Sequence, residues 1–212
     1  MPATIGYRPL VETLETRRLL LEPWHERHRA AWRQICRDPK VMRFIALGRV
    51  WETDKADEVF DAALVHWQER GFGWRSALDK TSGDWLGFVG LNRLGPGTAQ
   101  IAPDEIEIGW WIVRSAWGRG YASEGAARLR DEGFERVGLE RMIVRFQPAN
   151  AASRRVSEKI GMRFERETTG RSGEPISICA LERKRWVELR SDSYAGASYW
   201  FSNSSSSGTS RR

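Results

Sequence analysis

Between Glu105 and Gly125 the chain reads EIEIGWWIVRSAWGRGYASEG, and the chemistry written there is anion binding. Gly118 and Gly120 permit backbone conformations and close approaches that a Cβ would block, and Arg114 and Arg119 stand beside them as cations. A strand that runs into such a turn and then opens a helix brings backbone N–H groups together with the positive end of the helix dipole. A pyrophosphate can be held there without any particular side chain. GRGYASEG lacks the Gly-Lys-Ser ending of a P-loop and the three-glycine spacing of a dinucleotide turn, so an ordinary tight connection is the plain alternative.

The elements around the turn are legible. In the strand, Ile106, Ile108, Trp110 and Ile112 share one face, and Glu105, Glu107, Gly109, Trp111 and Val113 share the other. After the turn, Ala122, Ala126, Leu129, Gly133 and Val137 recur at helical spacing, which predicts a helix packing through small residues. Further on, RMIVRFQPANAASRRVSEKIGMRFERE reads as a strand over Arg141 to Gln147, a proline break, a short helix from Ala151 to Ile160 and another strand.

The pair AWGRGYASEG and PANAASRRVSEKIGMRFERE resembles the acetyl-CoA-binding core of the GNAT superfamily of N-acyltransferases, most of all its ribosomal-protein-alanine N-acetyltransferase branch. The likeness runs from about Leu14 to Arg190, with ETRRLLLEPW similar to that branch's first strand and ISICALERKRW to its last. It implies an α+β fold: a mostly antiparallel central sheet, splayed at the cofactor site and flanked by helices on both faces. It also implies acetyl-CoA as co-substrate, with no metal. In the family the strand before the turn carries a bulge that splays it from the next strand, and the cofactor arm inserts like an added strand. Trp110, Trp111 and Ile112 would lie at that split, and Val113 would pair with the pantetheine arm. The backbone of Ser115, Trp117, Gly118, Arg119 and Gly120 would cradle the pyrophosphate, with Tyr121 and Ala122 starting the helix behind it. Ser115 stands where the family usually has a glutamine or arginine, and Arg114 is one place off; the backbone cradle does not depend on that side chain.

The implied reaction is attack of an amine on a thioester carbonyl, which needs an unprotonated amine and a tolerated thiolate leaving group. A lysine amine near pKa ~10.4 needs more help than an α-amine near ~8. Glu107, in the shared EIG element, is the first candidate for the base, directly or through water, against the plainer role of partner to an arginine; Glu105 is second. Where many members place a tyrosine acid, this chain has Ser157. Ser153, three residues after Asn150, matches the branch and could hydrogen-bond the thioester sulfur or protonate the thiolate; a thiol of pKa ~8.5 leaves with little assistance. Asn150 is expected both to cap its helix and to touch the cofactor arm. Arg154 and Arg155 are candidates for the CoA 3'-phosphate.

The remaining features agree with a small enzyme. A chain of 212 residues, 41% hydrophobic, can bury one sizeable core. Without an 18-residue apolar run or an N-terminal signal pattern, it is expected to be cytoplasmic and off the membrane, as a monomer or homodimer. Cys36 and Cys179 fit buried or free thiols, and His25, His28 and His66 are expected on solvated helix faces. The net charge of +6 and eleven tryptophans invite a nucleic-acid role, but the cations are dispersed among 28 acidic residues, which argues against it.

His25 to Arg37 and Asp54 to Arg70 read as helices joined by DPKVMRFIALGRVWETD. GWRSALDK and DWLGFVGLNRL read as a hairpin turning at Thr81 to Gly83. In the family the helical region and the loop between the last two strands form the acceptor pocket. Here that loop is Thr168 to Pro175, with Arg171 and Glu174, and Phe44, Trp51 and Trp74 are apolar lining candidates. Residues 1–13 read as an extension, 14–190 as the catalytic domain, and the serine-rich 191–212 as a disordered tail in which Tyr199, Trp200 and Phe201 stand out. Three functions remain open at this point: an active acetyl-CoA-dependent N-acetyltransferase acting on a protein N-terminus or small-molecule amine, a CoA-binding sensor or scaffold, and a basic ribosome- or RNA-associated module.

Overall fold

The computed structural model describes residues 12–95, 101–102, 104–170 and 172–191. Residues 1–11 of the expected 1–13 extension, Arg171, and residues 192–212 of the tail, with Tyr199, Trp200 and Phe201, lie outside the described residues. Eight strands form one sheet in the order β1-β2-β3-β4-β5-β6-β8-β7: β1 (Leu14–Glu15), β2 (Leu19–Pro23), β3 (Trp74–Asp79), β4 (Trp85–Arg93), β5 (Ile106–Ile112), β6 (Arg141–Phe146), β7 (Arg163–Thr169) and β8 (Pro175–Glu182). Every neighbouring pair is antiparallel except β5 and β6, which α4 (Tyr121–Glu132) connects as a crossover. The other helices are α1 (Arg29–Cys36), α2 (Pro39–Met42), α3 (Thr53–Arg70), α5 (Ala151–Lys159) and a closing helix, α6, over 183–191.

Alternation along the central strands builds a core on each face of the sheet. On one face Val89, Leu91, Ile108 and Ile112 pack with Ala126 and Leu129 of α4. On the other, Phe88, Trp74 and Trp111 join Trp24, Trp32 and Phe60 in an aromatic core under α1 and α3. Most tryptophans are spent here: Trp32 stacks on Trp111 with centroids 5.1 Å apart, and Trp74 on Phe88 at 4.3 Å.

Several expectations change in detail. ETRRLLLEPW forms two strands, because β1 turns at Thr16 and pairs back on β2. The first predicted helix opens with a 3-10 turn at Glu26–His28, and α3 ends at Gly71, whose φ of 65° suits the left-handed position after a helix. Beyond α4 the helical spacing continues as a single π turn, Gly133–Val137. ISICALERKRW is strand only as far as Glu182; Trp186 lies in α6 and stacks on Phe134.

Two of the three histidines are not on solvated faces. His28 is buried against Trp24 and bonded to Glu22, and burial pushes its pKa down. His66 accepts from the Arg93 N–H through Nε2 and faces the Phe72 carbonyl through Nδ1, which fixes the Nδ1–H tautomer. Periodicity placed these residues on helix faces but could not show which neighbours those faces meet. Cys36 and Cys179 are both buried and free, and burial pushes the Cys36 thiol up to about 12. Among the described residues no helix is long and apolar enough to cross a membrane.

Candidate active site

The turn predicted to hold an anion has the backbone such a role needs. Gly118 and Gly120 have φ of 73° and 82°, a region costly for residues with a Cβ. Gly120 is the N-cap of α4, and no side chain caps that end. Among the described residues, the N–H groups from Gly118 to Ser123 have no partner; the first bond that closes the helix runs from Glu124 N–H to the Gly120 carbonyl. Unsatisfied donors at the positive end of a twelve-residue helix fit a CoA pyrophosphate. Arg114, Ser115, Trp117 and Arg119 are exposed, Ala122 is half-buried, and Tyr121 is buried with its hydroxyl donating to Asp79 at 2.7 Å.

The sequence left unread what holds this turn in place. Glu124, in the first turn of α4, accepts from the Thr16 hydroxyl at 2.6 Å, the Arg18 N–H at 2.7 Å and Arg18 Nε at 2.7 Å. Arg18 Nη1 then donates to the carbonyl of Arg119 at 2.9 Å, and its guanidinium lies over the Tyr121 ring. Burial pushes the Glu124 carboxyl up, but the bonds from Thr16 and Arg18 outweigh it and leave its pKa lowered. More than 100 residues separate these partners, so local spacing carries no signal for the contact.

The sheet splits beside the turn. β5 and β6 share a single bridge, Glu107 with Ile143. The β4–β5 register is unbroken from Arg93–Ile106 to Gly87–Ile112, so the split arises without the expected bulge on that side. Val113 N–H donates to Leu86 and its carbonyl accepts from Ala116, so the residue predicted to pair with a pantetheine arm is already engaged. By strand alternation it is Trp110 and Ile112 whose backbone faces the gap; the Ile112 carbonyl takes the Trp117 Nε1 bond at 2.7 Å.

A cavity of about 310 Å³ straddles this split. On β4 and β5 three cross-strand pairs line it in succession: Phe88 with Trp111, Gly90 with Gly109, and Asn92 with Glu107. Trp74 lies over Gly90, where a Cβ would come within 2.3 Å of its ring, while a Cβ on Gly109 would meet nothing within 4 Å. Across the gap stand Val144, Arg145 and Phe146 of β6 with Asn150 and Ser153 of α5, and Phe44 and Ile45 close another side. Glu107, Asn150 and Ser153, distant in sequence, therefore share one cavity. Trp51 packs instead on Trp32 and Trp111.

Each candidate can now be placed. Glu107 is held by Arg145, with Nε to Oε1 and Nη2 to Oε2 both at 2.9 Å. Burial pulls the Arg145 pKa down, but the charge and hydrogen bonds of Glu107 raise it further, so the arginine stays a cation. Glu105 is gripped by Arg141, which also pairs with Glu165 and Glu182, and it does not line the cavity. Asn150 Oδ1 accepts the Ser153 N–H at 3.1 Å, the expected N-cap. Ser157 is buried and donates to the Arg154 carbonyl at 2.7 Å. Arg154 and Arg155 are exposed on α5, and no cluster able to hold a metal occurs among the described residues.

Residues 18–163 match the family described as "Acetyltransferase (GNAT) domain". The chain belongs to the GNAT acetyltransferase family. It is 30% identical over 207 residues to the FsC-acetyl coenzyme A-N(2)-transacetylase of Aspergillus fumigatus, spanning 89% of this chain and 83% of that one. It is also 36% identical over 134 residues to the uncharacterized protein YkkB of Bacillus subtilis, over 58% of this chain and 70% of that one. The solved acetyltransferase from Agrobacterium tumefaciens is 28% identical and superposes with a TM-score of 0.70, over 81% of this chain and 95% of its own. The GNAT chain is an acetyl-CoA-dependent acyltransferase, and its sheet and flanking helices are those of the family fold.

Proposed function

We propose that this GNAT enzyme transfers the acetyl group of acetyl-CoA to a primary amine bound in the cavity between Glu107 and Ser153, the amine belonging to a protein N-terminus or a small molecule. The observation that carries the reading is the cavity itself: it lies on the β5–β6 split and gathers Glu107, Asn150 and Ser153. The name of the Aspergillus relative, an acetyl coenzyme A-N(2)-transacetylase, supports a nitrogen acceptor.

The N–H groups from Gly118 to Ala122 hold the pyrophosphate, and the backbone of Trp110 and Ile112 pairs with the pantetheine arm in the split. Acetyl-CoA supplies a thioester whose C–S bond breaks as the amine nitrogen forms the new C–N bond. Glu107 receives the amine's proton, directly or through water, while Arg145 fixes its orientation. The Ser153 hydroxyl hydrogen-bonds the departing sulfur, and Asn150 fixes the helix turn that carries it. The aromatic walls exclude water, and charged contacts gain strength in such surroundings.

The test is thiol release from acetyl-CoA with a panel of peptides, amino-acid amides, polyamines and aminoglycosides, with acetylated products identified by mass. Glu107→Gln should reduce turnover most at lower pH, where the amine is protonated. Tight CoA binding with no acetylated product across the panel would count against the reading. An unchanged pH profile in Glu107→Gln would remove the base from Glu107.

A further inference from the structure

We propose that the acceptor is an α-amino carbonyl compound, with its amine one carbon from a carbonyl or carboxyl group, and that Arg145 is the residue that selects it. The inference rests on acetyl transfer taking place in the cavity described above. Arg145 has five N–H donors and spends two of them on Glu107 through Nε and Nη2. Its Nη1 has no hydrogen-bond partner among the described residues, and the side chain lines the cavity with 27% of its surface exposed. Glu174, on the loop after β7, attracts Arg145 through space without forming an ion pair among the described residues.

The cavity therefore offers a carboxylate and free guanidinium donors side by side. An α-amino carbonyl group is the complement: its nitrogen and oxygen are about 3 Å apart by standard bond lengths, so the amine can meet the Glu107 carboxylate while the oxygen meets the adjacent edge of the guanidinium, where the second Nη2 N–H stands beside Nη1. Simple amines and polyamines leave that edge unmatched. The basicity of the acceptor agrees. An alkylamine near ~10.4 is almost wholly protonated at neutral pH, whereas an α-amine near ~8 is partly unprotonated and ready to attack. Among the described residues that line the cavity only Glu107 and Arg145 are charged, so ionic recognition is concentrated in this pair. The transfer remains balanced: the nitrogen lone pair forms the C–N bond, the C–S electron pair leaves with sulfur, and the amine's proton reaches the thiolate through Glu107 or water.

The experiment compares L-phenylalaninamide, free L-phenylalanine and 2-phenylethylamine as acceptors for acetyl-CoA. Rates are expressed per unprotonated amine, products are confirmed by mass, and CoA affinity is measured separately by titration calorimetry. The amide and the free acid separate an aminoacyl terminus from an amino acid, and the phenylethylamine lacks the carbonyl. A hydrogen bond from a charged donor predicts about a ten- to hundredfold higher kcat/KM for at least one carbonyl-bearing acceptor. In Arg145→Lys, which keeps the charge and loses the fork, that ratio should fall towards one; the ratio cancels any loss common to all acceptors through Glu107. A wild-type ratio near one overturns the proposal without any variant, as does a ratio that survives in Arg145→Lys. Acetylation of all three amines without preference leaves the acetyltransferase reading standing, whereas CoA binding with no amine acetylated, either among these three or across the wider panel, overturns both.

Discussion

Glu124→Ala removes the carboxylate through which the start of α4 holds the β1–β2 turn. Three hydrogen bonds disappear: from the Thr16 hydroxyl, the Arg18 N–H and Arg18 Nε. The Arg18 side chain is 32% exposed and can turn to water, so its ion pair contributes about 1 kcal/mol at most. The other two donors lose a charged acceptor in a part-buried site, at about 1–1.5 kcal/mol each once water rescue is allowed for. The sum, about 2–4 kcal/mol, would lower Tm by roughly 4–16 °C for a domain of this size. Urea unfolding followed by circular dichroism measures it, with Glu124→Gln keeping an acceptor oxygen and losing about half as much. Freed from Glu124, Arg18 no longer holds the Arg119 carbonyl, so CoA affinity measured by calorimetry should fall as well. A stability change under about 0.5 kcal/mol, the level of an ordinary surface substitution, would refute the reasoning. So would a large loss of stability with CoA affinity intact in the folded variant, which would separate the latch from the cradle.

Other outcomes follow from the same geometry. A Cβ at Gly109 meets nothing within 4 Å, so Gly109→Leu should fill cavity space, raising acceptor KM or abolishing acceptor use while leaving CoA affinity and the urea midpoint near wild type. Asn150→Ala should cost about 1 kcal/mol through the lost N-cap, visible in urea unfolding, whereas Ser153→Ala should reduce CoA affinity or turnover with little change in stability. Acid should destabilise the protein in two stages, followed by urea midpoints from pH 8 to pH 3. The pKa values of His28 and His66 are lowered by burial, so the folded state favours their neutral forms; that stability is present above about 6.5 and is lost as pH falls below it. The pKa values of Glu124, and of Asp79 through its Tyr121 bond, are also lowered, so their contribution persists until pH falls past the ordinary carboxylate range and through their depressed values. Glu124→Ala should flatten the second stage and leave the first.

The sequence by itself determined what local spacing can encode. The apolar strand, the turn with Gly118 and Gly120 in left-handed backbone, the small-residue helix behind it and the Asn150 cap all follow from residue type over a few neighbours, and they identified the family through its two motifs. The hairpin about Thr81 to Gly83 was legible for the same reason. Only the tertiary structure decided which of these pieces meet. Residue type allowed Glu107 to be a base or an arginine's partner; strand order put Arg145, 38 residues away, across a one-bridge split, where it grips the carboxylate and still offers Nη1 to a ligand. The same distance effect brought Arg18 onto the Arg119 carbonyl, buried His28, and engaged Val113 with β4 while Trp110 and Ile112 faced the gap. Periodicity reports which side of an element a residue occupies, and packing alone reports what stands on that side.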